Sequence, residues 1–93
     1  MTIGLLQLKV HFPNPQSLKE KRSILKRLHA KFRREFNAAL SEIGDMNLWQ
    51  SSVLASVCVA RERQEAEKQL HRIMNFFDQE RQLEVIAQQT ELL

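Results

Sequence analysis

The first dozen residues alternate between two sets of positions, and one set is uniformly apolar or small. This period-two spacing predicts a β-strand over residues 2–12 with one buried face. The segment Pro13-Asn14-Pro15 ends the strand and turns the chain. The predicted buried face carries Gly4, Leu6, Leu8, Val10 and Phe12.

The spacing becomes helical after this turn. Ser17 and Glu20 stand three residues apart, which is the spacing of a capping box and marks the start of a helix that runs to Phe36. Its apolar stripe is predicted to face the core, with Ile24 on the flank. The stripe consists of Leu18, Leu25, Leu28, Phe32 and Phe36.

The rest of the chain predicts one more helix and three more strands. Residues 38–43 are a short strand candidate, residues 44–47 a turn, and residues 51–60 a clearer strand. Residues 62–78 return to helical spacing, and a last strand covers about 82–90.

The element order β-α-β-β-α-β predicts an α+β fold. Two right-handed crossovers joined by a central hairpin give a four-stranded antiparallel sheet with both helices on one face, the ferredoxin-like plait. Ninety-three residues suffice for one such domain, spanning 1–93, and are too few for two.

The sheet face turned away from the helices is predicted to be open. It would carry Ile3 and Leu5 from the first strand and Leu54, Ser56 and Cys58 from the third. Its apolar residues are either buried between copies in a homo-oligomer or scattered on the surface. No Phe, Tyr or Trp is expected there, so the face lacks the platform on which RNA-binding sheets of this kind stack unpaired bases.

Basic side chains are concentrated in the first helix. Residues 17–36 hold eight of the fourteen Lys and Arg residues and only two acidic ones. Three of the eight, Lys19, Lys21 and Arg22, lie in the first turn, where the helix dipole disfavours cations by about 0.3–1 kcal/mol each. The sequence shows no structural gain that offsets this cost, and the segment therefore favours an anionic partner.

This basic face has two interpretations. It is either a solvated helix face or a surface that contacts the phosphates and shape of structured RNA. The second helix mixes acidic and basic residues as ordinary surface helices do, whereas the first does not, which favours RNA. The predicted nucleic-acid-binding residues are Lys19, Arg22, Lys26, Arg27, Lys31, Arg33 and Arg34.

Two further residues need partners. Lys21 falls within the apolar arc of the first helix, so its ammonium must reach the helix edge or find a carboxylate or a backbone carbonyl, and Glu42 is the candidate carboxylate. Trp49 follows the predicted turn, where it either packs over the edge of the core or serves as a partner contact.

The residue spacing gives no support for catalytic or metal chemistry. The three histidines, His11, His29 and His71, are far apart in sequence and form no ligand pair. Cys58 lies inside a predicted strand without a sequence signal for a base, and two glycines cannot build a phosphate loop. We therefore expect no enzyme activity, no cofactor and no metal.

Cysteine usage and hydropathy indicate a compartment. A single cysteine allows no internal disulfide and fits a reducing environment. Gln7 and Lys9 interrupt the only early apolar run, which is too short for a signal sequence or a membrane span. We expect a cytoplasmic protein that does not bind membranes.

Three segments together indicate a family. SLKEKRSILK at residues 17–26, after an opening strand, NLWQ at 47–50 and QEAEKQLHRIM at 64–74 resemble the YlxP-like domain-of-unknown-function family of bacteria. The resemblance covers essentially the whole chain. It implies a ferredoxin-like fold, no assigned enzymatic activity and no catalytic residue, and members of the family are suspected of a role near translation or ribosome assembly.

Two functional hypotheses follow from these observations. In the first, this is a small cytoplasmic accessory protein that binds structured RNA or ribosomal particles through its basic helix. In the second, it is a homodimeric structural or protein-interaction module. The sheet face then makes the dimer, and the basic helix meets an acidic protein.

Overall fold

The computed structural model describes every residue from 1 to 93 and contains four strands and two helices. Their order confirms the predicted β-α-β-β-α-β arrangement. Neither helix is both long and apolar enough to cross a lipid bilayer. The elements are β1 (Thr2–His11), α1 (Leu18–Glu35), β2 (Ala39–Gly44), β3 (Ser51–Ala60), α2 (Arg63–Asp78) and β4 (Glu84–Leu92).

The four strands form one antiparallel sheet in the order β2-β3-β1-β4. The central strands β1 and β3 pair along their whole length, from Thr2 opposite Ala60 to His11 opposite Ser51. Both helices cover the same face, because the apolar stripes of α1 and α2 join the buried side of β1 in one core. This is the ferredoxin-like plait that the sequence predicted.

Phenylalanines from the two helices meet in this core. The ring centroid of Phe32 in α1 lies 5.6 Å from that of Phe76 and 6.1 Å from that of Phe77, both in α2. Phe36 lies 5.6 Å from Phe76 in an edge-to-face arrangement. Such pairs add about 0.5–1.5 kcal/mol each beyond the burial of their area. They hold α1 in place over the sheet, with its basic face turned outward.

The prediction that Leu54 lies on the open sheet face is wrong. Leu54 is 1% exposed and stands opposite Leu8 in the pairing of β1 with β3. Residues directly opposite each other in an antiparallel pair share a face, so Leu54, Ser56 and Cys58 face the helices. Both sides of β3 are apolar enough to be buried. The register of its pairing with β1 decides which of the two sides faces the helices.

The open sheet face is consequently lined by the valines of β3. Val57 and Val59 are 37% and 61% exposed, while Ile3 and Leu5 beside them on β1 are half-buried. These residues form adjoining rows across the two central strands. We call the following set the apolar sheet face: Ile3, Leu5, Val53, Ala55, Val57 and Val59.

Both edge strands of the sheet are irregular. In β2 the pairing with β3 shifts between Glu42 and Gly44 and leaves Ile43 without a partner residue. In β4 the pairing with β1 skips Ile86. Ile43 and Ile86 are 47% and 55% exposed, respectively. Each shift is a β-bulge, which bends its strand and increases the local twist.

Candidate nucleic-acid interface

Helix α1 begins at a defined cap. The Ser17 hydroxyl accepts a hydrogen bond from the Glu20 backbone N–H at 3.1 Å, as the sequence predicted. The Glu20 carboxylate accepts the N–H of the preceding Gln16 at 2.6 Å. A carboxylate at the positive end of a helix is favourable, so Glu20 offsets part of the cost of placing Lys19 and Arg22 in the first turn.

All seven predicted nucleic-acid-binding residues are exposed on α1, but two of them have partners within the protein. Arg27 donates to Gln82 Oε1 at 3.1 Å, and Lys31 Nζ forms an ion pair with Glu80 at 3.0 Å. Lys31 Nζ also lies 5.8 Å from the ring centre of Phe76. Because both acceptors belong to the connection between α2 and β4, this flank of α1 is tied to the rest of the domain.

The other five make no hydrogen bond or ion pair with the protein. Arg22, Lys26 and Arg33 follow i, i+4, i+11 spacing, so they lie almost in line along about 16 Å of the helix. A row of cations of this kind suits the repeating negative charge of a nucleic-acid backbone. We call the five residues the free cations: Lys19, Arg22, Lys26, Arg33 and Arg34.

Lys21, in contrast, is withdrawn from solvent, with 1% of its surface exposed. Its Nζ atom lies 2.9 Å from Glu42 Oε2 and donates to the backbone carbonyl of Asp45 at 2.7 Å. The same Glu42 oxygen accepts a hydrogen bond from Ser52 Oγ at 2.7 Å. The interpretation that Glu42 holds Lys21 is thus confirmed. Lys21 is a structural cation and is not exposed to a ligand.

The loop between β2 and β3 is fixed at both ends. At its start Asp45 has a φ of 57°, in the left-handed region, and its carboxylate accepts a hydrogen bond from Ser51 Oγ at 2.7 Å. At its end the side-chain amide of Gln50 donates to the carbonyls of Pro13 at 3.1 Å and Pro15 at 3.3 Å. These contacts hold the loop against the segment that leads into α1.

This loop presents Trp49 to solvent. The side chain is 52% exposed, and Met46 and Leu48 beside it are 55% and 51% exposed. Trp49 is not part of the buried core, so its interpretation as a core-edge residue is not supported, and its role in partner contact stays a prediction. A shallow cleft of about 440 Å³ adjoins the indole; it is lined by His11, Asn47, Leu48, Trp49, Gln50 and Ser51.

Sequence reasoning assigned no role to His29, which joins α1 to the edge strand β2. Its Nδ1 atom lies 3.1 Å from the carbonyl oxygen of Leu25, and its Nε2 atom lies 3.0 Å from that of Leu40. A neutral imidazole donates through one nitrogen, whereas a protonated one donates through both. Asp45 was also missed as the carbonyl partner of Lys21, since a backbone acceptor leaves no signature in the sequence.

The other chemically distinctive groups lie outside helix α1. Burial raises the pKa of the Cys58 thiol, although a hydrogen bond from the Gly4 backbone opposes the shift, and a protonated thiol is a poor nucleophile. No group of three or more His, Cys, Asp or Glu side chains is placed to hold a metal ion. A wide groove between α2 and β4 carries charges of both signs, including Arg63, Glu67, His71 and Asp78.

Comparison with known proteins identifies relatives along nearly the whole chain. Residues 3–90 match the family model described as "Protein of unknown function (DUF503)". The chain is also 34% identical over 89 residues to the "Uncharacterized protein YlxP" of Bacillus subtilis (strain 168), covering 96% of this chain and 97% of that protein. The chain therefore belongs to the DUF503 family, the YlxP-like family that its SLKEKRSILK segment resembles.

Proposed function

We propose that this protein is a small, non-catalytic, cytoplasmic accessory protein that binds structured RNA, including RNA in ribosomal particles, through helix α1. The observation that carries the proposal is the set of free cations, five exposed basic side chains on one helix that no group of the protein neutralises. The free cations would contact phosphate oxygens, while the Phe-packed inner side of α1 keeps the helix rigid on the sheet.

Helix α2 supports this assignment by contrast. Its exposed charges are mixed in sign, and Arg63 pairs with Glu67 one turn away at 3.2 Å. Arg72 lies 5.3 Å from the ring centre of Phe36 and is partly used in packing. The two helices lie side by side on the same sheet, yet only α1 accumulates unneutralised charge. A surface shaped by solubility alone would be expected to treat them alike.

The composition of the sheet also bears on the binding mode. The apolar sheet face contains no aromatic residue, so it offers no stacking platform for a run of unpaired bases. Binding through α1 would instead depend on phosphate positions and helix shape, with little dependence on base sequence.

A salt titration of binding to a structured RNA and to a DNA duplex of equal length tests the proposal, with fluorescence anisotropy as the readout. We expect a preference for RNA and a steep loss of affinity with salt. Lys26→Glu combined with Arg33→Glu should weaken RNA binding by about tenfold or more, because two phosphate contacts become repulsive.

The matched control reverses two exposed cations outside α1. Arg61→Glu combined with Lys68→Glu changes the net charge by the same amount, and neither residue has an ion-pair partner. The control should retain most of the affinity if α1 is the docking surface. Equal losses in the two double variants, or equally weak binding to RNA and DNA, would contradict the proposal. The basic face would then attract nucleic acids only through its net charge and would not be a specific RNA-docking surface.

A second candidate function rests on the apolar sheet face. Val59 is 61% exposed and belongs, with five other apolar residues of β1 and β3, to this face. In this alternative a second copy of the chain covers the face to make a homodimer, and α1 meets an acidic protein.

Oligomeric state and nuclease treatment separate the two functions. Light scattering at high concentration should give a dimer if the apolar sheet face is an interface, and Val57→Lys combined with Val59→Lys should return a monomer. A wild-type monomer at high concentration would exclude the dimer. Association with ribosomal particles should end on RNA digestion in the first function and survive digestion in the second.

A further inference from the structure

We propose that the cleft beside Trp49 binds a single unstacked nucleobase of the RNA whose phosphates lie on α1. The cleft adjoins an indole that is 52% exposed, on a loop whose two ends are fixed by hydrogen bonds. This inference rests on the proposed RNA-binding function and adds a site for one base to it. The structure brings the indole and several unengaged polar groups together at one end of β1 and β3.

Some polar groups around the indole are already hydrogen-bonded within the protein and form the frame of the cleft, whereas others are free to bind a ligand. Ser51 donates to Asp45, and the amide nitrogen of Gln50 is occupied by the two proline carbonyls, so these groups form the frame. The Asn47 amide, the His11 imidazole and Gln50 Oε1 make no hydrogen bond within the protein. Donors and acceptors beside an aromatic plane are what recognition of an unpaired base requires.

The cleft is preorganised by the strands beneath it. The Phe12 N–H donates to the Gln50 carbonyl at 2.9 Å, which continues the pairing of β1 with β3 to the base of the loop. Lys21 donates to the Asp45 carbonyl at the other end of the loop. Because both ends of the loop that carries the indole are fixed before any ligand arrives, less backbone entropy is lost on binding.

The same contacts place the cleft at the end of the molecule where α1 begins. Lys21 lies in the first turn of α1 between Lys19 and Arg22, and its bond to Asp45 brings that turn and the loop to the same end of the molecule. A base extruded from a bulge could enter the cleft while its flanking phosphates contact these cations. Four of the six residues that line the cleft are polar and supply hydrogen-bonding groups beside the indole.

The chain supplies its own reporter for the test. Trp49 is the only tryptophan and there is no tyrosine, so the protein's tryptophan emission comes from this cleft alone. Two RNA hairpins of equal stem length are compared, one fully paired and one with a single bulged adenosine. Binding is measured by anisotropy of labelled RNA and, separately, by quenching of the Trp49 emission.

Both hairpins should bind with the salt dependence of phosphate docking, but the bulged hairpin should bind more tightly and quench Trp49 more strongly. Trp49→Ala should lower affinity for the bulged hairpin by roughly 5- to 150-fold, the range expected for one base stacked on an aromatic ring, and leave the paired hairpin unaffected. Trp49→Phe should restore part of the loss. Met46→Ala, an equally exposed apolar substitution on the same loop, should change neither affinity.

Two results would overturn the inference, and they differ in what they leave standing. Equal affinity for the two hairpins, equal quenching and no effect of Trp49→Ala would exclude the base site while the RNA-docking function of α1 survives. Trp49 would then belong to a protein-binding surface. Failure of both hairpins to bind at low salt would overturn the proposed function and the base site together.

Discussion

The Nζ atom of Lys21 lies 2.9 Å from Oε2 of Glu42, and this ion pair joins the first turn of α1 to the edge strand β2. Lys21 is 1% exposed and the Glu42 side chain 20% exposed, so the pair spans the boundary between core and solvent. It is completed by Ser52 and the Asp45 carbonyl, and no buried side-chain polar atom is left without a partner. The pair therefore ties together the basic helix and the loop that carries Trp49.

Replacing Lys21 by Met should destabilise the protein by about 2–4 kcal/mol, because Glu42 loses its counter-charge and the Asp45 carbonyl loses one of its two donors and keeps only the Leu48 N–H. The measurement is urea unfolding followed by circular dichroism. In the double variant Lys21→Met/Glu42→Gln the unpaired charge is gone, and at least half of the lost stability should return. Strictly additive effects of the two substitutions would contradict the coupling described here.

The salt dependence of RNA binding should distinguish the free cations from the paired ones. Lys26→Gln removes an unneutralised charge and should lower the slope of log affinity against log salt by about 0.7–0.9. Lys31→Gln removes a cation already paired with Glu80, so its effect on the slope should be less than half as large. Equal slope changes measured by anisotropy would show that Glu80 releases Lys31 when RNA binds.

Gly4→Ala should destabilise the protein by about 1–3 kcal/mol through overpacking. A Cβ at this position would lie 2.9 Å from Cys58 Sγ and 3.1 Å from Leu70 Cγ, where β1 and β3 meet α2. The sulfur is the nearer obstacle, so the same substitution should cost less in a Cys58→Ala background. A thermal-unfolding cycle of the four proteins measures this coupling, and an undiminished cost would assign the strain to Leu70.

The Cys58 thiol should make stability fall at alkaline pH. Burial raises its folded-state pKa above the ordinary 9.0, so above about pH 9 the unfolded chain loses a proton that the native protein retains. The unfolded state is thereby favoured, and urea midpoints should decrease from pH 8 to pH 10. Cys58→Ala, as the control, should show a smaller decrease, and reaction of native Cys58 with a thiol reagent should be slow until urea is added.

The fold was predictable because its local signals agree with one another. The alternation in β1 and the Ser17 cap of α1 each determined an element boundary to within a residue. Alternation could not predict which face of β3 is buried. The exposed Val57 and Val59 are more apolar than the buried Ser56 and Cys58. Only the pairing with β1 settles that choice, and pairing is a long-range property.

The candidate site was predictable only in part. A lysine inside an apolar arc needs a counter-charge, and this argument led from Lys21 to Glu42. The sequence could not predict which basic residues are free and which are paired. Lys31 and its partner Glu80 are separated by 49 positions, so their contact depends on the tertiary fold. The inward position of Phe76 was not predictable for a similar reason, because Phe76 is buried against Phe32 and Phe36, which are distant in sequence.

The bulges at Ile43 and Ile86 have a consequence for how copies of this protein could assemble. Each one interrupts an outer strand of the sheet, so neither edge presents a long, flat row of free backbone groups to another chain. Growth by adding strand to strand is therefore disfavoured at both ends. If the apolar sheet face does bind a second copy, as the second candidate function proposes, that assembly would close at two copies instead of extending into a filament.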